Sequence, residues 1–73
     1  RNQSIMTQER IMEILRAGGN VDYECGREAA KRHIAEGNPG VYDTFPGLVA
    51  VFGSDWVNGY IECLDAWRTF NRA

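Results

Sequence analysis

At 73 residues the chain has room for one small domain, and a chain this short buries only about 60% of the surface it exposes when unfolded. Apolar content of 44% and charged content of 25% are those of an ordinary globular protein and exclude disorder throughout. A net charge of −2 and a pI near 5.2 exclude a strong general DNA or RNA binder, which needs a basic surface against phosphates.

The chain opens on a segment, residues 1–6, that is expected to be poorly ordered. Met6 followed by Thr7 reads as a natural start, which would make residues 1–5 upstream or vector-derived. No signal-peptide core is visible and no apolar run approaches the roughly 20 residues that span a bilayer, so no membrane contact is expected and the cytoplasm is the expected location. Thr7 suits an N-cap, and Ile11, Ile14 and Leu15 form a short stripe with Met12 at its margin. Gly18 and Gly19 end this first helix, which is too short to persist without docking.

Asn20 caps a second predicted helix over residues 21–36, with Asp22 and Glu24 near its positive dipole end and Gly37 as its stop. Tyr23, Gly26, Ala30, His33 and Ile34 share one side, with Ala29 at the edge. A mid-helix glycine costs about 1 kcal/mol of propensity relative to alanine. Close approach of another helix is the simplest reason for Gly26, with Trp56, Tyr60 or Trp67 across the strip. Glu28 and Arg32 form a favourable i,i+4 pair. Arg27, Lys31 and Arg32 make a modest basic patch among Glu24, Glu28 and Glu36, suited either to solvent or to an acidic protein or RNA phosphate.

Asn38, Pro39 and Gly40 signal a turn. Residues 41–53 admit three readings. Asp43 or Thr44 could cap a short helix with Pro46 near its start. Val49 and Val51 favour a strand, although no partner strand exists. The preferred reading is a short helix or packed loop that sets Phe45, Leu48 and Phe52 on the core. Left open, the same aromatic segment, including Tyr42, would be an interaction patch.

The longest element runs from Ser54 to Phe70, with Ser54 as cap and Asp55 in the first turn. Trp56, Val57, Tyr60, Ile61, Leu64, Trp67 and Phe70 recur at three- and four-residue spacings and define a broad apolar face. The expected fold is therefore an all-α single domain over residues 7–73. It comprises two short helices, an aromatic loop or short helix, and a long C-terminal amphipathic helix.

Chemistry is sparse. Cys25 and Cys63 could meet across two helices in a disulfide, but two isolated cysteines are expected as free, partly buried thiols. His33 is the only histidine, so a zinc site lacks ligands at the usual spacing. Cys25 and His33 lie more than two helical turns apart, Glu62 and Asp65 read as surface carboxylates, and no glycine-rich phosphate loop is present. Neither an enzyme nor a cofactor is expected.

One ordered pattern remains: Tyr23-Glu24-Cys25-Gly26, Ala30, Gly37-Asn38-Pro39, and Trp56-Val57-Asn58-Gly59-Tyr60. Between Tyr23 and Trp67 it resembles the ribosome modulation factor family and its relatives, many carried by phages and prophages. The physical reading of the residues agrees: Gly26 and Gly59 would let two helices cross closely, with Trp56 and Tyr60 over the junction. The resemblance implies ribosome binding, with Arg27, Lys31 and Arg32 as RNA contacts. Gly40 stands where an aromatic usually follows the proline, Tyr42 comes two residues later, and the chain is slightly acidic where the founding member is basic.

Two functions follow as expectations. One is a small non-catalytic regulator of phage or prophage type that binds a host protein through an aromatic patch including Tyr42, Phe45 and Phe52. The other is a ribosome-associated modulator of translation. Homodimerisation through the same patch is compatible with either.

Overall fold

The helices begin and end where local chemistry directs them. In a computed structural model that describes residues 7–43 and 45–71, the Thr7 side chain accepts a 3.2 Å hydrogen bond from the Arg10 amide and starts α1 (Gln8–Arg16). Asn20 does the same for α2 (Val21–Ala35), accepting from the Tyr23 amide at 3.0 Å. Both helices close alike. The Gly19 and Asn38 amides reach back to the Ile14 and His33 carbonyls, each at 2.8 Å. The left-handed residue this closure requires is Gly18 (φ 77°) in one case and Gly37 (φ 82°) in the other.

Two further helices follow, α3 (Leu48–Phe52) and α4 (Ser54–Phe70), and among the described residues there is no strand. The chain is thus all-helical, with its longest helix at the C-terminal end. The β-branched residues of α3 are helical rather than extended. Neither Asp43 nor Pro46 belongs to that helix, because Gly47 in the left-handed region (φ 74°) stands at its N-cap. Ser54 is the first helical residue of α4 rather than its cap; Gly53 takes that place without a side-chain bond. The expectations for residues 1–6, and for Thr44 as a cap, fall outside the described residues.

The main packing is α2 against α4, and it is a contact of backbone on backbone. A Cβ added to Gly26 would lie 2.7 Å from the carbonyl carbon of Trp56, 3.1 Å from its Cα, and closer still to its carbonyl oxygen. One added to Gly59 would lie 2.9 Å from the Tyr23 carbonyl carbon, closer still to its oxygen, and 3.2 Å from the Arg27 amide nitrogen. No side chain fits at either position. The close approach seats Tyr60 and Leu64 on Ala29 and Ala30, and Ile34, Tyr42, Trp56, Cys63 and Trp67 pack around that centre.

Polar ties run along the seam. Asn20 donates to Asp55 at 3.0 Å, linking the start of α2 to the first turn of α4. The Tyr23 hydroxyl donates to Glu62 at 2.5 Å, and the accepting carboxylate pushes the phenol above its ordinary pKa. α1 docks through buried Ile14 and half-buried Ile11. Arg10 fixes its orientation, reaching Glu28 at 3.3 Å and Glu24 at 4.0 Å. Such partly exposed pairs contribute at most about 1 kcal/mol each. Glu28 therefore pairs across helices with Arg10, not along α2 with Arg32. The broad stripe of α4 is also narrower than its spacing suggests. Val57, Tyr60 and Leu64 are buried, whereas Ile61 is 45% exposed and Phe70 is 90% exposed.

Gly26→Ala adds a methyl group against backbone that cannot move aside. The gain of about 1 kcal/mol in helix propensity is outweighed by an overpacking cost at or above the usual 1–3 kcal/mol. A net loss of about 2 kcal/mol or more is expected in urea unfolding, while Lys31→Ala on the exposed side stays within about 0.5 kcal/mol. A stabilised Gly26→Ala protein would contradict the crossing.

Candidate interaction surface

Between α2 and α4 the chain makes a run of tight turns. The Val41 amide bonds the Asn38 carbonyl, Asp43 bonds Gly40 and Phe45 bonds Tyr42, at 3.3, 3.0 and 3.2 Å. α3 follows, and Gly53 (φ 91°) is the only residue between it and α4. Five helical residues leave one turn of choice. Leu48 and Phe52, four apart, turn toward the protein and are half-buried. Val49, Ala50 and Val51 are thereby turned out to solvent, with Val51 62% exposed. Exposed Phe45, its ring 6.4 Å from that of Phe52, adds to this apolar shelf, and Val41 is exposed in the same segment.

Beneath the shelf lies an aromatic cluster. Phe52, Trp56 and Tyr60, spaced by four residues, stack in series: Phe52 on Trp56 at 4.1 Å and 16°, Trp56 on Tyr60 at 5.3 Å and 11°. Tyr42 stands at the hub, 5.3 Å from the ring centres of His33, Phe45 and Tyr60 and 5.7 Å from that of Phe52. Its tilted and edge-on contacts are the favoured geometries for ring quadrupoles. His33 completes the cluster, with Nδ1 2.6 Å from the Tyr60 hydroxyl. Burial, with a smaller contribution from Arg32, lowers its pKa below the ordinary value, and burial raises that of Tyr60.

The residues singled out in the sequence fall into different roles. Tyr42 and Phe52 are half-buried supports, and Phe45, 40% exposed, is both support and surface. Asp43 is the one charged residue in the segment, and it is held by Arg68 at 3.5 Å. The basic trio does not gather into one patch. Arg27 pairs with Glu24 at 3.5 Å and lines a cleft of about 290 Å³ between α1 and α2, whereas Arg32 lies on the His33–Tyr60 side. Lys31 is exposed. Within that cleft Arg10, Glu13, Glu24 and Arg27 neutralise one another.

Sequence reasoning passed over Val41, Val49 and Val51. Their signal was the four-residue interval from Leu48 to Phe52, which turns the residues between them outward once the segment is helical. Cys25 and Cys63 are free, half-buried thiols, and burial pushes the Cys25 pKa up. Among the described residues no group of three or more His, Cys, Asp or Glu side chains is placed to hold a metal ion, and no helix is long and apolar enough to cross a membrane. Comparison of the chain with protein-family models, curated proteins and solved structures gave no match.

Tyr42 supports the shelf through its ring, since its contacts are aromatic. Tyr42→Phe is expected to stay within about 0.5 kcal/mol of the parent. Tyr42→Ala is expected to lose about 2 kcal/mol, less than the 3–5 kcal/mol of a fully buried aromatic, and to weaken the near-ultraviolet dichroism of the Trp56 stack. Equal losses in the two variants would assign the support to the hydroxyl instead.

Proposed function

We propose that this chain is a small non-catalytic regulatory protein, of the phage or prophage type, that binds a host protein through the apolar shelf formed by Val41, Phe45, Val49 and Val51. The observation that carries this reading is the division of labour around α3. Leu48 and Phe52 suffice to anchor the helix, yet the remaining surface is apolar and carries a single, already paired charge. An apolar surface without unpaired charges can be covered by a partner without the desolvation penalty of burying an ion. The mild net negative charge also favours a protein partner over RNA.

Affinity capture from a bacterial lysate, with and without nuclease, tests it. One dominant protein should be retained in both conditions. Val49→Asp with Val51→Asp should weaken its capture roughly 30-fold, equivalent to about 2 kcal/mol, without lowering the unfolding midpoint. Retention that is unchanged in the double variant would rule out the shelf.

A second reading is ribosome association, which the motif resemblance suggests. The observation that favours it is the crossing at Gly26 and Gly59, the two glycines of that pattern. It expects cosedimentation with ribosomes that weakens as salt rises and when Arg27, Lys31 and Arg32 are neutralised. Absence of cosedimentation at low salt would remove it.

A further inference from the structure

The sole histidine sits where three elements meet. His33 lies in the last turns of α2 and Tyr60 in the middle of α4, while Tyr42 comes from the turn segment between them. Nδ1 of His33 is 2.6 Å from the Tyr60 hydroxyl, and the Tyr42 ring stands edge-on to the imidazole at 72°. Tyr60 is 2% exposed and is the largest fully buried side chain among the described residues. Its hydroxyl has no other hydrogen-bond partner among them.

That geometry depends on where the protons are. A neutral imidazole carrying its hydrogen on Nε2 offers a lone pair at Nδ1, to which the buried phenol donates, satisfying both groups. A second proton places a hydrogen on Nδ1 as well. The imidazolium must then donate to the Tyr60 oxygen, and the phenolic hydrogen loses the one acceptor it has among the described residues. Protonation thus reverses the bond and strands a buried donor, which protein interiors disfavour.

We propose that the His33–Tyr60 pair is a proton-sensitive latch that holds the segment carrying Tyr42 and Phe45, and with it α3, on the α2–α4 core. With His33 neutral the latch is closed. When the ring takes up a proton, Tyr42 loses its seat, the aromatic stack loosens and the shelf changes shape. The latch does not depend on what the shelf binds.

Burial and the charges around the pair give the sign. Burial opposes the incoming proton most, Arg32 on α2 opposes it too, and Glu36 at the C-cap of α2 favours it. From the turn segment come Tyr42 and Asp43, and from α4 come Tyr60 and Arg68, with Asp43 and Arg68 paired at 3.5 Å. The folded-state pKa of His33 lies below its unfolded value of about 6.5, so the loosened state binds protons more readily. The latch's contribution is therefore complete above about pH 6.5 and is lost as pH falls through the folded-state value.

Amide hydrogen exchange of the full chain, corrected for intrinsic rates between pH 8 and 5 at constant salt, reads the latch directly. Protection in residues 41–52 should fall by up to about tenfold per pH unit in the His33 window, while protection in α1 holds steady. His33→Gln should abolish that pH dependence, and Tyr60→Phe should move the His33 titration back toward its ordinary value. Persistence of the same dependence in His33→Gln would overturn the proposal. Nitrogen-15 shifts of the unsubstituted protein at pH 7.5 provide a check that needs no variant. They should show the Nε2–H tautomer of His33; the Nδ1–H tautomer would overturn the proposal.

Discussion

Everything in this fold depends on two helical backbones touching. At Gly26 the Cα–H direction that a side chain would occupy points at the Trp56 carbonyl oxygen, and at Gly59 it points at that of Tyr23. The arrangement is reciprocal, and each member is a weak Cα–H···O contact, a type that recurs where helices cross closely. Each glycine gives up about 1 kcal/mol of helix propensity. Close approach offsets this by pressing Tyr60 and Leu64 onto Ala29 and Ala30, so a chain with few large residues on α2 still makes a dense centre. The crossing also fixes the start of α4, and α3 is joined to α4 through Gly53 alone.

The elements that were legible in the sequence are those whose signals are local. Thr7 and Asn20 cap because their oxygens reach amides three residues on, and Gly18 and Gly37 stop helices because they tolerate positive φ. Gly26 announced the crossing because an unexplained mid-helix glycine needs a neighbour. The apolar stripe of α4 overstated its own burial for a geometric reason. A seventeen-residue helix outruns its fifteen-residue partner, so Phe70 is left in solvent. Residues 41–53 resisted reading because their propensities conflict. Valines favour a strand, but glycines at 47 and 53 bracket a single turn that only the Leu48 and Phe52 anchors make worthwhile. Glu28 chose Arg10 over Arg32 because α1 docks beside it, which no spacing along α2 reveals.

The candidate surface was half legible for the same reason. Aromatic residues drew attention to Tyr42, Phe45 and Phe52, and the structure turns two of the three inward as supports. The exposed apolar groups are the smaller valines, which composition does not distinguish from core. Support and surface are thus carried by different side chains on one short helix. The proposed contact can be altered at Val49 and Val51 without disturbing the Phe52–Trp56–Tyr60 stack below. The proposed latch at His33 would act on that stack through Tyr42 and Tyr60.

The backbone contact itself can be observed without altering the chain. A nuclear Overhauser spectrum of the isotopically labelled protein should show strong cross-peaks between the α-protons of Gly26 and that of Trp56, and between those of Gly59 and the Arg27 amide proton. Proximity of α2 and α4 seen only through side-chain protons, with both backbone cross-peaks missing, would contradict the crossing on which the fold rests.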